Sequence, residues 1–369
     1  MVVFQALTWE ARDEDDEHLI SIFGKTESGK SICVTTSFTP YFFIKLDSRV
    51  SAKELYKSID EKCPECVISY SVMDSKDVWG FQNNQMFRFM KIDFVNLQTR
   101  RRVDYFLRRP LHLYSSGLFK AKVYESNLDP VLRLMHRTGI QSTGWLDTGD
   151  KCIRSHLANV DIDLFCNDWT TLTPVNRDDI APFVVASFDI ECNSSTGKFP
   201  DADVNGDACF QIAISLCKFG TDEPYEKICL CYKNTSGPDV RSFDTEREML
   251  EAFQKYIQEK DVDIITGWNI FGFDLEYIYK RAFICGCNSN FFKLGKLKDQ
   301  SCEIVVKKLS SSALGDNLLK LFPMSGRFVF DMFHEVKKGY KLDSYSLNNV
   351  SKLYIGDQKL DMSPKEMFA

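Results

Sequence analysis

From Phe183 to Phe188 the chain is an unbroken run of apolar and small residues, and it ends in Asp189, Ile190 and Glu191. A run of this kind reads as a strand buried on both faces of a layered α/β sheet. Successive side chains of a strand point to opposite faces, so Asp189 and Glu191 share one face. Two carboxylates held side by side resist joint ionisation unless a cation shares them, and hard oxygen donors suit Mg²⁺ or Mn²⁺. The segment thus demands a central sheet with a candidate divalent-cation site at the end of a strand.

The residues that follow supply the rest of such a sheet. Phe210 to Phe219 and Lys227 to Tyr232 are two further apolar strands. Asp244 to Glu259 carries Met249, Leu250, Phe253, Tyr256 and Ile257 at helical spacing, and Thr245 with Glu248 fits a capping box. Val262 to Ile265 reads as a buried strand, after which Gly267-Trp268-Asn269 turns the chain into a helix over Phe273 to Ile284. Asp274 falls in the first turn of that helix, where the dipole favours a carboxylate. Strands, helix, strand and helix in this order predict a mixed sheet with helices packed against it.

The first half is richer in short strands. Leu19 to Phe23, Ser31 to Thr36, Tyr41 to Leu46 and Gln85 to Leu97 read as strands, and Ser51 to Cys63 as a helix with a Ser N-cap. Gly24 to Ser31 fits the phosphate-loop expression, but a strand-like segment follows it instead of a helix, so the reading is a hairpin. Gln98 to Arg109 holds Arg100, Arg101, Arg102, Arg108 and Arg109, either a solvated helix face or a contact with a phosphate backbone. Tyr124 to Ile140 reads as an amphipathic helix closed by Gly139, and Asn159 to Phe165 as a strand-like connector. The polar stretch Thr173 to Asp179 is the best domain boundary, which gives domains over 1–180 and 181–369.

Composition narrows the class further. The chain has 369 residues, 44% of them hydrophobic and 29 of them Phe, enough for more than one globular core. No apolar run is long enough to span a bilayer, and the acidic N-terminus does not fit a signal peptide, so a soluble intracellular protein is expected. The 13 Cys are scattered through apolar segments and read as small buried hydrophobes and not as disulfides; Cys63 and Cys66 form one CxxC without a second pair. With a net charge of −6, any nucleic-acid partner has to be held by local basic patches.

These motifs occur together in one known family. SFDIEC at 187–192 resembles the first exonuclease motif of family B DNA polymerases, and ITGWNIFGFDLEYI at 265–278 resembles the second. YESNLDPVLRLMHRTGIQSTGW at 124–145, GRFVFDMF at 326–333 and KLDSYSLNNVSKLYIGDQKLD at 341–361 extend the likeness over nearly the whole chain. The combination is most similar to the delta-type catalytic subunit of eukaryotes and its relatives in large DNA viruses.

The resemblance implies an RNase H-like 3′–5′ proofreading exonuclease domain, incomplete at its C-terminus, preceded by the mainly β, α+β N-terminal domain of the polymerase. It makes Asp189, Glu191 and Asp274 three of four acidic residues around a pair of Mg²⁺ or Mn²⁺ ions. Asn269 and Phe273 match positions that line the path of a single strand, and Arg100, Arg101 and Arg102 are candidate contacts to template or primer. The implied partners are primer–template DNA, a chain carrying the polymerase domain and a sliding clamp, in the nucleus or a viral replication site.

The sequence also departs from the family. The family's third motif, a Tyr followed four residues later by Asp, is expected after the KLDSYSLN segment, yet the chain reaches Ala369 without it, and Tyr340 is followed at that spacing by Ser344. No polymerase-domain motif occurs. Asp331, Asp343 and Asp357 are present in segments that resemble structural parts of the domain, and Asp331 is weighed against that as a substitute ligand. Weak or no hydrolysis by the chain alone is the expectation, and a catalytically silent DNA-binding or assembly fragment is the alternative. A free-standing nuclease of the same fold has no evident use for the N-terminal region.

Overall fold

Alternation in the strands and apolar stripes on the helices fold the chain into two units, each with its own core. The computed structural model describes residues 1–311 and 315–357, and the side chains of 309–318 stand outside that description. Residues 358–361, the end of the last family-like segment, and the tail after them also lie outside the described residues.

The first unit holds Met1–Glu27, Ile32–His156 and Asp161–Asp179. It opens with β1 (Val3–Glu14), β2 (Glu17–Lys25) and β3 (Ser31–Ser37), and the phosphate-loop-like string is the connection from β2 to β3, with no helix behind it. An array of β4 (Tyr41–Lys45), α1 (Ala52–Lys62), β5 (Val67–Ser75), β6 (Phe87–Phe94), α2 (Leu97–Leu107), the hairpin β7 (Leu111–Leu113) and β8 (Gly117–Phe119), and β9 (Lys122–Tyr124) follows. Its antiparallel sheet runs β5-β6-β4-β9, the order of a split βαβ repeat. Phe42, Ile44, Met90 and Ile92 pack from the sheet onto Leu55, Ile59 and Val103 of the helices. Ser51 caps α1, its hydroxyl accepting from the Glu54 N–H at 3.4 Å.

The helix expected over Tyr124 to Ile140 begins later, as α3 (Pro130–Thr138), because Tyr124 is taken into β9 and Asp129 supplies the N-cap ahead of Pro130. Gly139 ends it at φ 76°, the left-handed conformation that a residue with a side chain adopts reluctantly. The strands β10 (Trp145–Asp147), β11 (Cys152–Arg154), β12 (Ile162–Cys166) and β13 (Thr173–Val175) complete a seven-stranded sheet of order β11-β12-β3-β2-β1-β10-β13. Cys152 and Cys166 face each other across β11 and β12 and are joined as a disulfide, which corrects the reading of every Cys as a reduced hydrophobe.

The second unit is built from Ile180 onward, with Ser28–Ser31 and Leu157–Val160. Its strands are β14 (Val184–Cys192), β15 (Cys209–Lys218), β16 (Glu226–Tyr232), β17 (Val240–Phe243), β18 (Ile264–Thr266), the hairpin β19 (Val305–Ser311) and β20 (Gly315–Leu321), and β21 (Phe328–Val329). Its helices are α4 (Glu246–Glu259), α5 (Asp274–Ile284), α6 (Asn288–Phe291), α7 (Met332–Gly339) and α8 (Leu347–Tyr354). The main sheet, β17-β16-β15-β14-β18-β21, is mixed: β14, β15 and β16 are antiparallel neighbours, and β17, β18 and β21 are added in parallel. The capping box of α4 is formed, with Thr245 and Glu248 exchanging two 3.1 Å hydrogen bonds.

One expectation about β14 is corrected. Ala186, Phe188 and Ile190 are buried, but Ser187 and Asp189 on the other face are exposed. Only one face of the strand is in the core, which leaves the acidic face accessible.

Candidate active site

The site is assembled by a parallel strand pair. Val185, Ala186 and Ser187 of β14 lie opposite Ile264, Ile265 and Thr266 of β18, so the chain leaves β18 beside the acidic end of β14. Gly267 makes this approach possible, since a Cβ at that position would lie 2.6 Å from the Phe188 carbonyl oxygen. The following turn holds Asn269 at φ 62° and delivers Asp274 to the start of α5.

Asp274 is 4% exposed, and its Oδ1 accepts from the Ile190 N–H at 3.3 Å. Asp274 is therefore docked on the backbone of β14 between Asp189 and Glu191, the two acids of the strand. Burial raises the Asp274 carboxyl to about 7, and the negative charge of Asp189 adds to the shift. The same open face of β14 borders a largely apolar cavity of about 960 Å³, lined among others by Ser187, Asp189, Ala213, Trp268 and Val336.

Asp331, weighed as a substitute ligand, has a different task. Its Oδ1 accepts from the N–H groups of Asn269 at 2.8 Å and Phe333 at 2.9 Å, and its Oδ2 accepts from Phe271 at 2.9 Å. At 2% exposure, it caps α7 and fixes the turn that carries Asn269. Asp343 and Asp357 are exposed on the C-terminal segment.

Phe273 is half-buried against the core, with its ring 5.0 Å from Tyr277 and 5.3 Å edge-on from Phe199. Asn269 folds toward Gly272, where a Cβ would come within 2.4 Å of its Oδ1. Both candidates thus sit on the turn that carries Asp274. The arginines lie on α2 in the first unit. Arg101 and Arg102 are exposed, but Arg100 is 5% exposed, with its guanidinium donating to the Leu128 carbonyl at 2.8 Å, so it faces the interior and not a phosphate backbone.

Sequence reasoning missed the support of the loop between β14 and β15. Arg281 of α5 donates to both oxygens of Glu246, at 2.8 and 2.5 Å, and to the carbonyls of Ala202 and Val204. Asp207 accepts from the Ser195 N–H at 2.6 Å and the Asp201 N–H at 2.9 Å. These bonds set the loop that presents Phe199 to Phe273. Helical periodicity put Glu246 and Arg281 near the ends of two helices but carried no sign that they pair.

The oxygen donors of Asp189, Glu191 and Asp274 are of the kind that suits a hard divalent cation, and bound positive charge would lower the raised pKa of Asp274. Among the described residues, no three His, Cys, Asp or Glu side chains are gathered closely enough to hold a metal ion. No helix among them is long and apolar enough to cross a membrane.

A mixed sheet that joins acidic residues from its central strand and from the helix after its parallel neighbour defines an exonuclease-type domain. Residues 121–350 match the family model for DNA polymerase family B, exonuclease domain, and the chain belongs to that family. It is 31% identical, over 95% of its length, to a DNA polymerase of Paramecium bursaria Chlorella virus NY2A, and 30% identical, over 93%, to the DNA polymerase delta catalytic subunit of Arabidopsis thaliana. The delta catalytic subunit of Schizosaccharomyces pombe is 29% identical over 98% of the chain. The chain spans 38%, 33% and 35% of these three relatives. The family B DNA polymerase from Pyrobaculum calidifontis shares the fold, with a TM-score of 0.67 and 19% identity over 96% of this chain and 39% of that one.

Proposed function

We propose that the chain is the N-terminal and proofreading part of a delta-like family B DNA polymerase, with residues 1–180 as the polymerase's N-terminal domain and 181–369 as its exonuclease domain. Its substrate is the single-stranded 3′ end of DNA, and its reaction is removal of nucleotides from that end. The observation that carries this reading is Asp274, buried against the backbone of β14 and raised to about 7 beside Asp189.

Asp189, Glu191 and Asp274 would hold Mg²⁺ or Mn²⁺. When bound, the ions supply an activated water and charge stabilisation for the leaving 3′ oxygen. The protein's own part is positional. The Ile190 N–H orients the Asp274 carboxylate, and Asp331 fixes the turn that carries Asn269 and Phe273. Phe273, backed by Phe199 and Tyr277, offers an aromatic face to a terminal base. Primer–template DNA, a chain with the polymerase domain and a sliding clamp are the partners this reading implies, in the nucleus or a viral replication site.

A second reading, a silent DNA-binding or assembly module, draws support from the absence of a closed ligand cluster among the described residues. One experiment separates the two. A 3′-labelled single-stranded oligomer is incubated with the chain in Mg²⁺ or Mn²⁺, alongside an Asp189→Ala, Glu191→Ala double variant and a Mn²⁺ titration followed by electron paramagnetic resonance. Cation binding and stepwise 3′ shortening, both lost in the variant, are expected of the exonuclease. Oligomer binding without cation binding or shortening would leave the module reading in its place.

A further inference from the structure

One strand of the second unit carries two cysteines on the face turned away from the core. In β16, Ile228 and Leu230 join the core cluster, and Cys229 and Cys231 alternate with them and stay outside it. Their sulfurs are 3.5 Å apart. Cys229 is half-buried and lines the cavity of about 960 Å³ that also reaches Asp189, while Cys231 is 6% exposed. A reagent in the cavity therefore meets Cys229 first.

The setting favours the reduced pair at rest. Gln211 of β15 donates its side-chain amide to the Cys229 sulfur at 2.8 Å, and one thiol can donate to the other. Burial, with Cys229 alongside, pushes the Cys231 thiol up to about 12, so that sulfur keeps its proton. Among the described residues, no third Cys, His, Asp or Glu is gathered with the two sulfurs closely enough to share a metal ion. Their match is to another sulfur.

A disulfide between them is within reach but strained. Alternate residues of an extended strand have Cα atoms about 6.6 Å apart, near the far end of the span of about 4.4–6.8 Å that a disulfide bridges. Closing the bond draws this part of β16 together. Cys231 is paired with Gln211 on one side and Ser242 on the other, so the strand cannot shorten without loosening both ladders. Strain of this kind makes a disulfide easier to reduce. Such a bond suits a switch better than a staple.

We propose that Cys229 and Cys231 are a reversible dithiol–disulfide pair, oxidised by a small disulfide that enters the cavity. Cys229, having lost its proton to solvent, attacks one sulfur of that disulfide; the S–S bond breaks, and one half leaves as a thiolate that takes up a proton. Cys231 then attacks the Cys229 sulfur of the mixed disulfide and loses its own proton, and the second half leaves and is protonated in turn. Two electrons and two protons pass from the cysteine pair to the small disulfide. Closure also disturbs the sulfur that Gln211 holds, and Gln211 stands opposite Glu191 in the β14–β15 register. The inference needs only the thiols and the cavity, and not a cation on the carboxylates.

The test uses the full chain, first reduced and then moved into buffers of glutathione and glutathione disulfide in varied ratio. Free thiols are alkylated, and tryptic peptides are weighed. Cleavage after Lys227 and Lys233 gives one peptide, residues 228–233, that holds both cysteines and no third. In the oxidising buffer this peptide is expected to escape alkylation and to be two hydrogens lighter, and dithiothreitol is expected to restore it. Cys231→Ser is expected to stop with glutathione bound to Cys229, and Cys229→Ser to leave Cys231 a free thiol. Oxidation is also expected to lower the melting temperature of the unsubstituted chain more than that of a Cys229→Ser, Cys231→Ser variant treated alike. A 228–233 peptide that stays fully alkylated in the oxidising buffer overturns the pair, as does a bond from either cysteine to one outside this peptide. A lasting glutathione adduct on the unsubstituted chain overturns it in favour of a single modified thiol. A melting temperature that rises on oxidation, against the double variant, overturns the switch in favour of a staple.

Discussion

Asp274 ties stability to pH. Its folded-state pKa of about 7 lies above the ordinary 3.8, so between those values the folded protein keeps a proton that the unfolded chain releases. Stability is therefore expected to fall as pH rises through this window, by up to about 4 kcal/mol from this group alone. Urea midpoints measured from pH 4 to 8 check the slope, which Asp274→Asn is expected to flatten. Mg²⁺ or Mn²⁺ at pH 8 is expected to restore the lost stability, because binding requires the ionised carboxylate. Asp331 poses the opposite case, a carboxylate whose worth lies in what it accepts. Asp331→Ala strands three N–H groups and removes a helix cap, an expected loss of about 2–4 kcal/mol in chemical denaturation. The two acids look alike in sequence. Asp189 and Glu191 were legible because strand alternation fixes their common face. Asp331 was legible as part of a structural segment but its partners were not, because a helix cap and a metal ligand call for the same residue type, and only the positions of the Asn269 and Phe271 amides decide between them.

At the level of elements, the β14–β18 contact depends on a missing side chain. Gly267→Ala drives a methyl into the Phe188 carbonyl and Ile270, both part of packed structure, and is expected to lower stability by about 1–3 kcal/mol in thermal unfolding. Gly272→Ala meets the Asn269 side chain first, so it is expected to displace that side chain at a smaller cost in stability. The pairing of α4 with α5 rests on Arg281 and Glu246, 2% and 7% exposed. Arg281→Met leaves a buried carboxylate unpaired and is expected to cost about 3–5 kcal/mol, with Arg281→Met, Glu246→Leu regaining most of it in the same denaturation assay. Long periodic elements such as α4 were legible from their apolar stripe and capping box. Short parallel strands were not: β17 and β21 have four and two residues and form only because a neighbour offers an edge. Tyr124 went astray for the same reason, since a strand partner outweighed the local helical pattern.

Across the molecule, the division of charge separates two kinds of chemistry. Asp274 lies buried beside Asp189 in the second unit, and Lys45, Arg49, Lys120 and Lys122 line one pocket in the first. Net charge concealed this, because −6 is a sum over 98 charged side chains and says nothing of where they lie. The run of arginines at 100–109 drew attention by density, yet Arg100 is spent inside the unit, while the dispersed Lys45, Arg49, Lys120 and Lys122 converge only after β4, β9 and the hairpin are in place. Convergence of distant residues is what a one-dimensional pattern lacks. The parallel register of β14 and β18 has a consequence in time. Val184 and Asp263, joined at its edge, are 79 residues apart, and a contact that closes so long a loop is slow to form. In a refolding experiment, helical circular dichroism is therefore expected to recover before the chain regains its affinity for Mn²⁺. Simultaneous recovery would mean that this strand pair belongs to the folding nucleus, and a nascent chain would then bring Asp274 to β14 as early as it forms its helices.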